Sequence, residues 1–210
     1  MKVENIDLKH IIYFHGFNSS PESKTCCALR NHFGNEKVVA PFYDYINPDN
    51  AYKYLESVVH SDRYAHDVYL VGTSLGAFWA NYFSEKYRLE CILINPSLRA
   101  ADSLKKYLGM NTNFYTGEKM ELTIQDIEAY NKYPMIDNIN IPKTILLGGK
   151  DEVVSPAYAR AFFKNHAVIN DDSEGHEIKD KSKIIKLVES AINNIHEPQT
   201  WAEFLEILKP

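Results

Sequence analysis

Short apolar runs alternate with segments of helical spacing along most of the chain. The runs are rich in β-branched residues and show no polar alternation, which is typical of strands that are covered on both faces. They lie at 10–15 (HIIYFH), 37–40 (KVVA), 67–71 (DVYLV), 90–94 (ECILI), 143–147 (KTILL) and 166–169 (HAVI). This pattern predicts an α/β fold with a mostly parallel sheet of about six strands.

Helical patterns between these runs predict helices on both faces of the sheet. One helix is predicted to begin at Ser20-Pro21, with a serine N-cap and a proline in the first turn, and Ser155-Pro156 predicts another in the same way. Two further apolar stripes follow the helical period: Ala51, Tyr54, Leu55, Val58 and Val59; and Ile184, Ile185, Val188, Ala191, Ile192 and Ile195.

The stretch between Pro96 and Ile141 is longer than one crossover helix requires. It contains two predicted helices, near 100–108 and 124–132, and the second follows a capping-box-like Thr123-x-x-Asp126. We therefore expect a single domain over residues 1–210 that carries a small helical cap, inserted at about 97–140.

A last amphipathic helix is predicted at 199–208. Its apolar side is formed by Trp201, Phe204, Leu205 and Leu208. Most such stripes belong to a core, so we expect this one to pack against its own domain. The alternative is that this apolar side forms an interface between two copies of the chain. The sequence is therefore also compatible with a homo-oligomer.

Composition and charge narrow the class of protein. The chain has 210 residues, 45% of them hydrophobic and 24% charged, with a net charge of −5, as in ordinary soluble domains. The sequence lacks a lysine- or arginine-rich block, which argues against nucleic-acid binding. The first ten residues hold no apolar signal segment, and no apolar run is long enough to span a membrane. Three cysteines do not make a disulfide framework, so a cytoplasmic location is expected.

The candidate nucleophile is Ser74. A buried run leads directly into GTSLG at 72–76, and helical spacing follows, which is the context that a G-x-S-x-G nucleophile elbow requires. Such a strand-to-helix turn forces the serine into strained backbone angles and lifts its hydroxyl above the sheet. Glycines on either side avoid a collision of a Cβ atom with the neighbouring strand or helix.

A serine hydroxyl needs a general base and an acid that orients the base. In this kind of fold the chain order is Ser, then Asp or Glu, then His. Asp151 and His176 each follow a predicted strand, at the sheet edge where α/β proteins bind ligands. We therefore expect His176 to be the base and Asp151 the orienting acid. The competing carboxylates are Glu152, Asp171 and Asp172.

Acyl transfer also needs hydrogen-bond donors for the oxyanion that develops on the substrate carbonyl. One predicted donor is the main-chain N–H of Leu75, which follows the nucleophile and heads a helix. The other is the N–H of Phe17, because Gly16 allows the chain to turn sharply after an early strand. His15 is expected to support this loop from below.

At this point the residues resemble the α/β-hydrolase superfamily, and more narrowly the small bacterial YqiA-type esterases. The resemblance covers about residues 10 to 192 and rests on YFHGFNSSPESKT (13–25), LVGTSLGAFWA (70–80), INPSLRA (94–100), YLGMNTNFYTGEKMEL (107–122), GGKDEVV (148–154) and EGHEI (174–178). It implies a minimal hydrolase with a short cap and a triad at Ser74, Asp151 and His176. Ala77 replaces a usual glycine and is expected to narrow the pocket. Glu177 replaces a small apolar residue and puts a charge near the base.

The leading functional hypothesis is a serine carboxylesterase that acts on a small-molecule ester. Aromatic residues of the cap are expected to wall its acyl pocket together with Phe17: Tyr107, Phe114 and Tyr115. An acyl-CoA thioesterase with the same triad and a non-catalytic ligand-binding member of the fold are the alternatives. The spacing of histidines and cysteines predicts no metal, and no other cofactor is expected.

Overall fold

The computed structural model describes residues 10–61 and 68–192. Eight strands are present there: β1 (His10–Phe14), β2 (Val38–Val39), β3 (Val68–Thr73), β4 (Cys91–Ile94), β5 (Gly109–Thr112), β6 (Lys119–Leu122), β7 (Lys143–Gly148) and β8 (Ala167–Asp171). Six of them form one parallel sheet in the order β2-β1-β3-β4-β7-β8. The predicted α/β class and its parallel sheet of six strands are confirmed.

Helices cover both faces of this sheet. They are α1 (Lys24–Phe33), α2 (Pro48–Val59), α3 (Leu75–Tyr87), α4 (Ala100–Leu104), α5 (Ile124–Ala129), α6 (Pro156–Phe162) and α7 (Lys181–Ile192). Alternate residues of β1 enter different cores, because successive side chains of a strand point to opposite faces. Ile11 and Tyr13 pack with α1 and α7, whereas Ile12 and Phe14 pack with α2, α3, α6 and the cap.

The first helix begins later than the sequence predicts. Its N-cap is Ser23, whose Oγ accepts a hydrogen bond from the N–H of Cys26 (3.3 Å). The Oγ of Ser20 accepts from the N–H of Glu22 (3.0 Å) and so belongs to a turn that precedes the helix. The prediction of a start at Ser20-Pro21 is therefore wrong, because two nearby serines offer the same local signal and only one caps the helix.

The predicted stripe on α2 also needs one correction. Ala51, Leu55 and Val59 are buried, but the ring of Tyr54 is 47% exposed. Helix α6 begins as predicted, with Ser155 as its N-cap and Pro156 in its first turn.

The cap contains both predicted helices, as α4 and α5, each continued by a 3₁₀ turn. The predicted capping box at Thr123 and Asp126 is present. The description of the cap as helical is incomplete, however, because β5 and β6 form an antiparallel hairpin between the two helices. These strands are short and mostly polar, so they carry little of the apolar signal that marks strands of the main sheet.

The predicted helix at 199–208 and the first residue of the predicted run at 67–71 lie outside the described residues. Within residues 10–61 and 68–192, every helix is too short or too polar to cross a lipid bilayer.

Candidate active site

Ser74 occupies the sharp turn between β3 and α3, with φ of 55° and ψ of −116°. The two glycines of the motif make this turn sterically feasible. A Cβ added to Gly72 would lie 2.4 Å from the carbonyl oxygen of Gly76, and a Cβ on Gly76 would lie 2.0 Å from that of Phe14. Both contacts are with main-chain atoms, which cannot move aside as a flexible side chain can. The elbow therefore requires glycine at both positions.

The structure brings the three predicted side chains into one hydrogen-bonded row. Ser74 Oγ lies 3.0 Å from Nε2 of His176, and Nδ1 of the same ring lies 2.8 Å from Oδ2 of Asp151. The carboxylate of Asp151 is fully buried, and its Oδ1 accepts from the N–H groups of Val153 (2.7 Å) and Val154 (2.9 Å). These bonds fix the carboxylate so that it orients the imidazole, with Nε2 directed at the serine hydroxyl.

The competing carboxylate at the end of β8 has other partners. Asp171 forms an ion pair with Lys183 (2.6 Å) and accepts from the hydroxyl of Ser173 (2.6 Å). Burial pushes the pKa of Asp171 upward, but the bonds from Lys183 and Ser173 outweigh it and hold this pKa below its usual value. The Oδ1 of Asp172 accepts from Asn170. Neither carboxylate is the one against His176.

The loop that carries Phe17 passes directly beside the nucleophile. A Cβ added to Gly16 would lie 3.4 Å from the carbonyl oxygen of Thr73 and 3.5 Å from Ser74 Cβ. Phe17 and Leu75 line the same cavity as Ser74. Leu75 is the first residue of α3, so its N–H has no helical acceptor and is available to a ligand.

His15 lies under this loop as the sequence predicts. It is fully buried, its ring stacks on Tyr43 at a centroid distance of 4.4 Å, and its Nδ1–H donates to the carbonyl oxygen of Gly16 (2.9 Å). Burial lowers the pKa of His15 to about 4, so the ring is neutral at pH 7. A neutral ring can support the loop without placing a charge beneath the site.

The hairpin of the cap is fastened to the same loop. The carbonyl oxygen of Asn18 accepts from the N–H of Phe114 (2.9 Å). Asn113 Nδ2 donates to the carbonyl oxygen of Ser19 (2.8 Å) and to the hydroxyl of Tyr45 (2.9 Å). The hairpin is therefore tied to the segment that follows β1 by one bond between main-chain groups and one from the Asn113 side chain, and to Tyr45 by a second bond from that side chain.

A cavity of about 390 Å³ opens above Ser74 and His176. The four residues predicted to bind substrate all line it: Phe17, Tyr107, Phe114 and Tyr115. The rings of Phe17 and Tyr107 lie 5.1 Å apart, and the Phe114 side chain is 77% exposed at the mouth. Ala77 is fully buried in the core and is not among the lining residues, so the expected narrowing of the pocket is wrong.

Asn95 is a residue of this site that the sequence did not single out. It follows β4, is fully buried and has φ of 45°. Its Nδ2 donates to the carbonyl oxygens of Gly175 (3.0 Å) and His176 (2.7 Å), and its Oδ1 accepts from the N–H of Gly148 (2.7 Å). One side chain thus ties the loop of His176 to the end of β7, three residues before Asp151. The available signal was a polar residue directly after the apolar run at 90–94.

In the described part of the chain, His, Cys, Asp and Glu side chains form no group of three that could hold a metal ion.

Comparison with known proteins gives the family and the fold. The profile of the uncharacterised protein family UPF0227 matches residues 10–192. The structure of Est1E from Butyrivibrio proteoclasticus is similar, with a TM-score of 0.69 at 14% identity, covering 89% of this chain and 88% of that one. Alpha/beta hydrolase domain-containing protein 10 from mouse has a TM-score of 0.68 at 17% identity, covering 89% of this chain and 90% of the mouse protein. At these identities the likeness establishes the α/β-hydrolase fold.

Proposed function

The chain belongs to the protein family UPF0227, and from the chemistry of its cavity we propose that it is a serine carboxylesterase. The observation that carries this proposal is the row of hydrogen bonds from Ser74 Oγ through His176 to Asp151 (3.0 and 2.8 Å), with the serine in the lining of a cavity. A nucleophile, a base and an orienting acid in hydrogen-bond contact are what acyl transfer requires.

Acylation begins when Ser74 Oγ attacks the carbonyl carbon of the ester while Nε2 of His176 takes the hydroxyl proton. The negative charge then moves to the carbonyl oxygen of the tetrahedral intermediate. The N–H groups of Leu75 and Phe17 stabilise that oxygen, as main-chain donors do in oxyanion holes. When the intermediate collapses, its bond to the alcohol oxygen breaks and His176 returns the proton to the leaving alcohol.

Deacylation repeats these steps with water in place of the serine. His176 takes a proton from the attacking water, and the second intermediate releases the carboxylic acid while Ser74 recovers its proton. The carboxylate of Asp151 stabilises the imidazolium that forms in both steps. Its buried position keeps solvent from weakening this interaction.

A fluorophosphonate probe tests the proposal on the unaltered protein. The probe phosphonylates activated serines, so we expect one equivalent to bind, with the adduct on the peptide that contains Ser74. Hydrolysis of p-nitrophenyl butyrate should fall in proportion to labelling, as mass spectrometry and initial rates would show. A parallel assay with butyryl-CoA distinguishes an esterase from a thioesterase. Labelling elsewhere, with Ser74 unmodified, would contradict the mechanism.

Asn95 should act by positioning the base. Asn95→Asp removes both N–H donors and sets a carboxylate against the carbonyl oxygens of Gly175 and His176. We expect kcat on p-nitrophenyl butyrate to fall about 10- to 100-fold with KM nearly unchanged, because a small displacement of a catalytic group has effects of this size.

The matched control for this prediction is Asn81→Asp. Asn81 is also fully buried, and its Nδ2 donates to the carbonyl oxygen of Ile136 (3.0 Å), away from the cavity. Both variants should lose about 1–3 kcal/mol of unfolding free energy in urea denaturation. The Asn81 variant should keep its kcat within about threefold of the unaltered protein. Equal losses of kcat in the two variants would show that Asn95 has only a structural role.

A further inference from the structure

The cavity above Ser74 is chemically divided into two walls. One wall is aromatic and combines Phe17, from the loop after β1, with Tyr107 and Phe114 of the cap. The other, polar wall is built by the segments around the starts of α1 and α7 and by the ends of β1 and β3. It presents hydroxyl groups and charged side chains, listed here together: Tyr13, Ser19, Ser23, Thr25, Thr73, Lys24, Glu177 and Lys181. An ester bound between the walls would meet an apolar surface on one side and a polar one on the other.

The polar wall carries an excess of positive charge. Its two ammonium groups share one carboxylate, since Glu177 Oε1 lies 3.5 Å from Lys24 Nζ and 3.4 Å from Lys181 Nζ. Glu177 is the sole carboxylate among the described residues that line the cavity, and its side chain is 56% exposed. The wall thus holds a surplus of one positive charge in a chain whose net charge is −5.

Lys181 is the more enclosed of the two lysines. Its side chain is 17% exposed, against 74% for Lys24. Burial lowers the pKa of Lys181, because its ammonium has lost part of its water. Glu177 partly opposes this effect across a long contact of 3.4 Å. Lys181 Nζ also donates to the carbonyl oxygen of Ile178 (2.5 Å), and an anionic group in the cavity would add a second charged partner beside Glu177.

The placement of these lysines runs against helix electrostatics. Lys24 and Lys181 are the first residues of α1 and α7, where the positive end of the helix dipole favours acidic side chains. Neither helix has an acidic residue in its first turn, and α3 and α6 have none there either, but Asp180 precedes α7 and its Oδ1 accepts from the N–H of Ser182 (3.0 Å). Lys24 and Lys181 thus stand where a lysine gains nothing from the helix dipole, so the dipole does not account for their positions.

We propose that this cavity selects esters that carry a negatively charged group, a carboxylate in particular, which Lys24 and Lys181 bind while Ser74 attacks the ester carbon. The inference rests on the proposed esterase function and adds the class of substrate. The apolar part of such a substrate lies against the aromatic wall, and its carboxylate lies against the polar one.

Two pairs of esters test this selectivity, each pair differing only by a carboxylate in place of a methyl group. Monoethyl glutarate is compared with ethyl pentanoate for a charge on the acyl side. The second comparison, 4-acetoxybutanoate with butyl acetate, probes a charge on the alcohol side. Initial rates are followed by pH-stat titration. In at least one pair we expect kcat/KM for the anionic ester to exceed that for the neutral ester by about fivefold. The excess should shrink at high ionic strength.

Variants of the polar wall identify the residues responsible. The ratio of kcat/KM values, anionic over neutral, should fall about tenfold when Lys24→Met and Lys181→Met are combined. The same ratio should rise about threefold in Glu177→Gln, which removes the shared carboxylate. Lys105→Met is the matched control, because Lys105 pairs with Asp102 (2.9 Å) and does not line this cavity. It should leave the ratio unchanged.

The outcomes separate this inference from the proposed function. If neutral esters are hydrolysed but neither anionic ester is preferred, or if the double lysine variant keeps the original ratio, the selectivity is overturned while the esterase proposal stands. If none of the four esters nor p-nitrophenyl butyrate is hydrolysed, both proposals fail.

Discussion

Replacing Ser74 by alanine should lower kcat for p-nitrophenyl butyrate by about 10⁵- to 10⁶-fold. The substitution removes the one oxygen that attacks the ester carbon, and no other group is expected to replace it. Alanine keeps the Cβ atom, so the strained turn at φ of 55° meets the same steric constraints as with serine. The fold should therefore persist, and the melting temperature should change by only a few degrees. Initial rates and thermal denaturation measure the two quantities.

The control for this variant is an exposed serine outside the cavity. Ser57, on α2, donates its hydroxyl to the carbonyl oxygen of Tyr54 (2.7 Å). Ser57→Ala should keep the original rate and its labelling by the fluorophosphonate probe, while Ser74→Ala should lose both. If Ser74→Ala retained even a hundredth of the original kcat, with contaminating esterases excluded, another residue would have to be the nucleophile.

Replacing Asp151 by asparagine should lower kcat by about 10⁴-fold with little change in KM. The N–H groups of Val153 and Val154 will continue to bind the side-chain oxygen, which turns the new NH₂ group toward His176. Nδ1 of the imidazole must then accept a hydrogen bond, so its proton moves to Nε2. In that tautomer the ring cannot take the proton from Ser74.

The matched control for this variant is Asp171→Asn, at the end of the neighbouring strand β8. Asp171 pairs with Lys183 (2.6 Å), and both side chains are largely buried. We expect this substitution to lower the free energy of unfolding by about 1–3 kcal/mol, because it removes a carboxylate from the buried ammonium of Lys183, which still pairs with Glu174 (2.9 Å). Its kcat should fall less than tenfold in the folded fraction. A greater loss of kcat in the Asp171 variant than in the Asp151 variant would show that the orienting acid is Asp171, at the end of β8, and not Asp151.

Local patterns in the sequence were sufficient to predict a structural feature wherever one continuous segment contains all the residues that define it. The motif at 72–76 predicted the elbow because strand, turn and helix follow one another directly. The order of Ser74, Asp151 and His176 could be interpreted because parallel strands end at one edge of the sheet. Serine before an apolar helix was a weaker signal, since Ser20 and Ser23 offer the same chemistry and only Ser23 caps α1.

The sequence by itself therefore determined the class of fold and the residues that end its strands. Strands buried on both faces appear as continuous apolar runs, and sharp turns require particular residues such as glycine, so both can be recognised within one short segment. The tertiary structure decided which groups meet across long separations. Asn95, at the end of β4, binds the loop of His176, which follows β8, although β7 lies between these two strands. The hairpin at 109–122 is bound to Asn18 and Ser19. These hydrogen bonds join residues that lie 81 to 96 positions apart. Such pairs leave no periodic or compositional signal in the sequence, so they can be recognised only in the folded structure.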